Sequence, residues 1–186
     1  MTQFEKIYFD MDGVLADFRK GVKELCGVDP PGPVGDDPAG DDAMYGAIRR
    51  IDHFYAELEP VEGMVGLFRE IRGKYGDRVE ILTAVPWPER NIAHAAEDKR
   101  EWVRRYLGGD VKVNIVLRKE KKDYARGEQY ILIDDTVRNL EEWKDNGGCA
   151  IHFTDTRMLR EELYRHGIIR RKLRSVRWTN EGSGTA

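Results

Sequence analysis

The sequence contains no apolar run long enough to cross a bilayer, and it has only two cysteines. The first absence argues against a transmembrane protein, and the second argues against a fold held together by disulfides. Lysine and arginine number 31 against 34 acidic residues, so the chain lacks the basic excess that is typical of nucleic-acid-binding proteins. The opening residues, MTQFEKIYFD, lack the pattern of a secretory signal. We therefore expect a cytoplasmic protein without a membrane partner.

Apolar residues make up 40% of the 186 residues and aromatic residues 10%, which is enough for one well-buried domain. Charge is unevenly distributed, because residues 29–62 hold nine acidic side chains and residues 157–178 hold eight basic ones. We interpret both segments as solvated surfaces. The alternative is a basic segment that contacts RNA or DNA, but only Tyr164 and Trp178 could stack on bases there, so a nucleic-acid partner is not expected.

Short apolar runs alternate with amphipathic segments along the chain. The runs have the length of buried strands, and they lie at 6–9, 79–82, 111–117, 130–133 and 149–153. Apolar residues spaced as one helical face lie between them, at 65–71, 102–107 and 140–143. Strand and helix in alternation predict the α/β class, with a Rossmann-like parallel sheet that has helices on both faces.

One stretch interrupts this alternation. Residues 27–42 consist mostly of glycine, proline and aspartate, which predicts a surface loop, and a helical segment is expected at about 43–58. Residues 18–60 therefore read as an insertion after the first strand. The expected division is a core of residues 1–17 and 61–186 and a small inserted unit of residues 18–60.

Pairs of acidic residues follow two of the predicted strands. Asp10 and Asp12 follow the first strand, and Asp134 and Asp135 follow the fourth. In an open parallel sheet, ligands bind beyond the carboxyl ends of the strands. Carboxylates this close together need a cation or a shared proton, and oxygen ligands without histidine or cysteine favour Mg²⁺ over zinc. The alternative is that these acids only cap turns and helices, which suits Asp135 alone better than the pairs.

A phosphate site is expected beside the acids. Thr83 ends the second strand, where a hydroxyl and free backbone N–H groups can hold a phosphate oxygen. Lys121 or Lys122 could supply the compensating positive charge, and Lys99 is a further candidate. Each also has an ordinary explanation, as a strand residue or as part of a solvated basic surface.

In this order, the motifs resemble those of the haloacid dehalogenase superfamily of phosphotransferases. They are DMDGV at 10–14, ILT at 81–83, a lysine at 121 or 122, and LIDD at 132–135. The closer resemblance is to the 5′(3′)-deoxyribonucleotidase family. It rests on DMDGVLADF at 10–18, ELEPVEGM at 57–64, DKREWVRRYLG at 98–108 and LIDDTVRNLEEW at 132–143.

The resemblance implies a Rossmann-like core with a small helical cap inserted after the first strand. It implies that Asp10 is the nucleophile that forms an aspartyl-phosphate, and that Asp12 is the general acid and base. Mg²⁺ would be held by the Asp10 carboxylate, by Asp134 and by the carbonyl of Asp12. Asp135 would act through water or by orienting the site. The enzyme would then be a phosphoric monoester hydrolase acting on nucleoside monophosphates.

The resemblance also implies the groups that bind the substrate. Thr83, the N–H of Ala84 and Lys121 would bind the phosphate, and Phe18 and Lys99 would face the substrate. Members of the family often have serine where this chain has Ala84, and they stack the base on aromatic residues of the cap that include tryptophan. Here all four tryptophans lie outside residues 18–60. A phosphatase of another small metabolite, or a catalytically silent relative that binds nucleic acid or protein, therefore stays open.

Overall fold

A computed structural model describes residues 4–32 and 37–170, so 33–36 of the predicted loop and 171–186 of the predicted core lie outside the described residues. Five parallel strands form one sheet in the order β3-β2-β1-β4-β5. The strands are β1 (Lys6–Phe9), β2 (Val79–Val85), β3 (Val113–Leu117), β4 (Tyr130–Asp134) and β5 (Cys149–His152). All five predicted strands and their parallel arrangement are confirmed, with ends shifted by up to three residues.

The two faces of the sheet belong to two separate apolar clusters. Successive side chains of a strand point to opposite faces. Ile7 and Phe9 of β1 accordingly lie in the larger cluster, whereas Tyr8 lies in the smaller one. The same alternation separates Ile131 from Leu132 in β4. Because both faces are buried, the strands read in the sequence as continuous apolar runs.

Helices cover both faces, as predicted. Those that follow the insertion are α3 (Met64–Tyr75), α4 (Ala95–Tyr106), α5 (Val137–Asp145) and α6 (Thr156–Arg165). Helices α3, α4 and α6 pack into the larger cluster, and α5 packs into the smaller one through Leu140 and Trp143. No helix within the described ranges is long and apolar enough to cross a membrane.

Helix α6 occupies the start of the basic segment that the charge pattern assigned to a solvated surface. Its Leu159 and Leu163 are fully buried, and the side chain of Asp155 accepts a hydrogen bond from the Met158 N–H at 2.8 Å to cap its first turn. The apolar residues of this segment therefore reach the core, whereas Arg157, Arg165 and Arg170 are exposed, in agreement with a solvated charged surface. Residues 171–178, including Trp178, lie outside the described residues.

The inserted segment, residues 18–60, contains two helices and a short 3₁₀ turn. They are α1 (Phe18–Cys26), α2 (Pro38–Ile48) and the turn Phe54–Ala56. The bounds expected for the second helix were wrong, because it starts inside the predicted loop. The Asp37 side chain accepts a hydrogen bond from the Gly40 N–H at 3.0 Å, and Pro38 suits the first helical position, so the helix begins there.

The chain leaves and rejoins the sheet at one place. The Asp17 N–H donates to the Glu59 carbonyl, and the Val61 N–H donates to the Leu15 carbonyl, both at 2.8 Å. The indole N–H of Trp102 in α4 donates to the carbonyl of Leu58 at 2.8 Å. These contacts fix the ends of the inserted segment next to the carboxyl edge of the sheet.

Candidate active site

The sheet topology brings three of the predicted motifs to one edge. Strand β1 is central and pairs with β2 on one side and β4 on the other. Asp10 directly follows β1, Thr83 lies in β2 and Asp134 ends β4. Because the strands are parallel, these residues lie at the same edge of the sheet, where ligands bind in such folds. Thr83 does not end its strand as expected, since β2 continues to Val85.

Lys121 joins two of the acidic residues. Its ammonium lies 2.9 Å from Asp10 Oδ1 and 2.7 Å from Asp134 Oδ2, and the residue is 2% exposed. Burial alone would lower the pKa of this ammonium, but the charges of Asp10 and Asp134 outweigh it and raise the pKa above its usual value. Lys122 is exposed. The geometry therefore distinguishes Lys121 from Lys122, which the sequence left as alternatives.

Asp134 is held in place by a residue that the sequence reasoning missed. Both of its carboxylate oxygens lie 3.1 Å from the Asn139 amide nitrogen, and Oδ1 also accepts from the Thr136 N–H at 2.8 Å. Asn139 lies four residues before Trp143, on the buried face of α5. A polar residue on a buried helical face next to an acidic motif is the signal that could have identified it.

Lys99, which the resemblance implies to face the substrate, is fully buried. Its ammonium donates to Asp12 Oδ2 at 2.5 Å and to the Thr83 hydroxyl at 3.1 Å, and it lies 4.5 Å from the centre of the Tyr55 ring. Within the described part of the chain, Asp12 Oδ1 is buried and has no hydrogen-bond partner. One carboxylate oxygen of Asp12 is thus fixed by Lys99, and the other makes no hydrogen bond among the described residues.

Three carboxylates form a cluster that could hold a metal ion. Asp10, Asp134 and Asp135 each place an oxygen so that the three oxygens lie within 4.8 Å of one another. Gly13 has a φ of +78°, and a Cβ there would stand 2.2 Å from Asp135 Oδ2. Glycine thus permits both the turn after β1 and the approach of Asp135.

Two acids of this cluster, Asp10 and Asp135, are destabilised as anions. Burial, and then repulsion from Asp134, Asp12 and Asp135, raise the pKa of Asp10 to about 7, although Lys121 acts in the opposite direction. Asp135 is more exposed, yet partial removal from water and repulsion from Asp134 raise its pKa to about 6. A divalent cation relieves such repulsion. Three carboxylates, as hard oxygen donors, fit a divalent cation such as Mg²⁺.

A cavity of about 240 Å³ lies between this edge and the inserted segment. Asp10, Asp12 and Lys121 line it from the core, and Phe18 lines it from the inserted segment. Ala84 also lines it. Further lining residues that the sequence reasoning did not identify are Tyr45, Tyr55, Trp87, Arg90, Arg118 and Asn139.

Comparisons with known proteins agree with this geometry. The model of the family described as "5' nucleotidase, deoxy (Pyrimidine), cytosolic type C protein" matches residues 36–173. The human cytosolic-type 5'(3')-deoxyribonucleotidase is 29% identical in an alignment of 159 residues that covers 76% of this chain and 77% of that protein. The human mitochondrial 5'(3')-deoxyribonucleotidase is 30% identical in an alignment of 146 residues that covers 70% of this chain and 61% of that protein.

Among solved structures, a haloacid dehalogenase superfamily hydrolase from Ehrlichia chaffeensis superposes with a TM-score of 0.51 at 11% identity. The match covers 89% of this chain and 98% of that one. At such low identity the likeness concerns the fold alone, and it agrees with the parallel α/β architecture described above.

Proposed function

The chain belongs to the 5' nucleotidase, deoxy (Pyrimidine), cytosolic type C family, and from this premise we propose that it is a Mg²⁺-dependent phosphatase of nucleoside monophosphates, with deoxynucleotides preferred. The observation that carries the proposal is the position of the Lys121 ammonium between Asp10 and Asp134 in the wall of the cavity. A buried cation beside clustered carboxylates suits a phosphoryl group that is bound together with a metal ion.

The residues that would hold Mg²⁺ are Asp10, Asp134 and Asp135, assisted by the carbonyl of Asp12. When bound, the ion neutralises the charge that builds up on the phosphoryl oxygens. Asn139 and the Thr136 N–H keep Asp134 oriented toward the cluster. Such outer contacts typically contribute about 10- to 100-fold to metal affinity.

In the first step, a carboxylate oxygen of Asp10 forms a bond to phosphorus while the bond from phosphorus to the nucleoside oxygen breaks. Asp12, protonated, donates its proton to the departing alkoxide, which leaves as the nucleoside. A water molecule then attacks the aspartyl-phosphate, Asp12 takes its proton, and inorganic phosphate is released as Asp10 is restored. Dividing the displacement into two steps with a carboxylate nucleophile lowers each barrier.

The remaining groups bind and orient the substrate. Lys121 and the backbone N–H of Ala84 hold the phosphate. Lys99 and Thr83 support the site indirectly. Lys99 donates hydrogen bonds to both Asp12 and the Thr83 hydroxyl. Phe18 faces the nucleoside from the inserted segment.

We further propose that residues 18–60 form a cap over a core of residues 1–17 and 61–186. The paired ends of the inserted segment support this division, and so does the cavity between the two parts. A cytoplasmic location stays a prediction, since one matched relative is named cytosolic and another mitochondrial.

The test is phosphate release from a panel of 5′- and 3′-nucleoside monophosphates, deoxy and ribo, together with sugar phosphates, in Mg²⁺ and in EDTA. Asp10→Asn should lose more than about 10³-fold in kcat, and Asp145→Asn, which alters an exposed acid, serves as the matched control. Circular dichroism verifies that both variants fold.

Turnover of deoxynucleotides that needs Mg²⁺ and Asp10 would support both the substrate and the mechanism. Turnover of sugar phosphates alone would leave the mechanism and discard the nucleotide substrate. No turnover of any phosphate would favour a silent binding relative, and residual activity in Asp10→Asn would remove this residue as the nucleophile.

A further inference from the structure

Trp87 is an exposed aromatic residue in the wall of the cavity. It is 43% exposed and follows β2, on the core side of the site. A single exposed aromatic residue needs no explanation by itself, but an exposed ring in the wall of a cavity is a surface on which a ligand can pack. The ring belongs to the same cavity as Asp10, Asp12 and Lys121, so a ligand bound at the carboxylates can reach it.

The backbone around Trp87 is restricted. Pro86 precedes it and Pro88 follows it, and a residue before proline is confined to extended conformations. Trp87 accordingly has φ −55° and ψ 144°, and a 3₁₀ turn, Pro88–Arg90, begins directly after it. The exposed ring is therefore carried by a stiff loop, which reduces the entropy lost when a ligand packs against it.

The same loop is attached to the inserted segment. Arg90 forms an ion pair with Asp42 of α2, and its guanidinium lies 4.9 Å from the centre of the Tyr45 ring. The Arg49 side chain donates two hydrogen bonds to the Arg90 carbonyl, at 2.8 and 3.2 Å. These contacts hold Trp87 at a set distance from the opposite wall of the cavity.

The aromatic residues of the inserted segment are largely engaged elsewhere. Phe18 meets Phe54 edge-on at 5.8 Å and lies parallel to Tyr55 at 6.2 Å, and both partners are 1% exposed. The Tyr45 ring also lines the cavity, and it carries the Arg90 guanidinium. Trp87 has the largest exposed fraction among the aromatic residues that line the cavity.

We propose that Trp87 is the stacking surface for the base of the nucleotide substrate, and hence a specificity-determining residue that is supplied by the core. The Lys119 ammonium lies over one face of the indole, 5.2 Å from the ring centre, so the base would stack on the opposite face. The inference rests on the proposed function, since the Trp87 ring would distinguish a nucleotide from phosphate esters that lack a base. Stacking is tolerant of base identity, because every base has a π face.

The kinetic test compares a substrate that has a base with one that lacks it. For deoxythymidine 5′-monophosphate, Trp87→Ala should lower kcat/KM roughly 5- to 100-fold, mainly through KM, as expected for the loss of one stacked ring. For deoxyribose 5-phosphate, the loss should be several times smaller. Trp87→Phe should recover most of the difference, and Tyr164→Ala, a similarly exposed aromatic outside the cavity lining, is the matched control.

Fluorescence provides a readout that does not depend on turnover. Trp102 and Trp143 have no exposed surface, so stacking on Trp87 should dominate the change in emission when the nucleotide binds. In an Asp10→Asn background with Trp178→Phe, deoxythymidine 5′-monophosphate should quench emission. The quench should disappear when Trp87→Phe is added, while calorimetry still detects binding.

The outcomes separate the two claims. If the wild-type protein hydrolyses the nucleotide and Trp87→Ala weakens both substrates equally, or neither, the role of Trp87 is overturned and the proposed function stands. If the wild-type protein hydrolyses other phosphates but no nucleotide, the proposed function fails and the inference fails with it.

Discussion

The ammonium of Lys99 donates a hydrogen bond to Asp12 Oδ2 at 2.5 Å, although Lys99 has no exposed surface. A buried ammonium without such a partner would be strongly destabilising. The pair therefore fixes the Asp12 carboxyl group and leaves Oδ1 without a hydrogen-bond partner among the described residues. Under the proposed mechanism, Oδ1 is the oxygen that exchanges a proton with the substrate, and Lys99 is a positioning residue that acts through Asp12.

Replacing Lys99 by methionine tests this role, because methionine has similar length and no charge. We expect kcat to fall roughly 10- to 100-fold, which reaches only the lower end of the range that is typical for the loss of acid–base catalysis. KM should change little, because Lys99 is not among the residues that line the cavity. Lys122→Met, at an exposed position, is the control. An unaltered kcat, or a loss that falls entirely on KM, would contradict the positioning role.

Asp134→Asn removes one charge from the acidic cluster and nearly preserves the shape of the side chain. Because Asp134 contacts Lys121 and Asn139 as an acceptor, the amide also disturbs both contacts. We expect the Kd for Mg²⁺ to rise by about 10- to 100-fold. Calorimetric titration with Mg²⁺ measures this directly, without any substrate, and a titration identical to that of the wild type would refute the assignment of Asp134 as a ligand.

Phe18→Ala should raise KM for nucleotides more than KM for a simple aryl phosphate, because Phe18 faces the cavity from the inserted segment. Phe18 also packs on Phe54 and Tyr55, so its truncation destabilises the segment. Phe18→Leu keeps most of that packing and separates the two effects. Equal changes for both substrates in the leucine variant would mean that Phe18 does not contact the base.

The stability of the fold should depend on pH through His53. Its Nδ1 lies 2.7 Å from Asp98 Oδ1, and this hydrogen bond, reinforced by Asp52 and Glu57, raises the pKa of His53. The His94 ring stacks on it at 4.9 Å. A raised pKa means that the stabilisation is fully present below the unfolded pKa of about 6.5, and that it is lost as pH rises through the higher folded value.

Urea unfolding at several pH values measures this contribution. His53→Asn suits the measurement, since asparagine tolerates the positive φ of 53° at this position. The stability difference between wild type and variant should be larger at pH 5.5 than at pH 8.5. His166→Asn, at an exposed histidine, is the control, and a difference for His53→Asn that is constant across pH would contradict the prediction.

Helix α2 illustrates where a sequence pattern misleads. It starts in a segment whose composition suggested a loop, yet it begins at Asp37, whose side chain caps its first turn. Local capping outweighed composition there. The strands were predictable because a sheet buried on both faces demands continuous apolar runs, and such runs are conspicuous in a chain this rich in charge.

The residue order along the chain was sufficient to predict the parallel sheet and to place Asp10, Asp12, Asp134 and Asp135 at its carboxyl edge, because strand ends in a parallel sheet share one edge. Tertiary structure decided what local patterns do not encode. It placed Lys121 rather than Lys122 between two carboxylates, buried Lys99 under Asp12, and brought Trp87 into the cavity wall. Those outcomes depend on side chains from distant segments meeting in three dimensions, where burial and charge pairing select one neighbour over another.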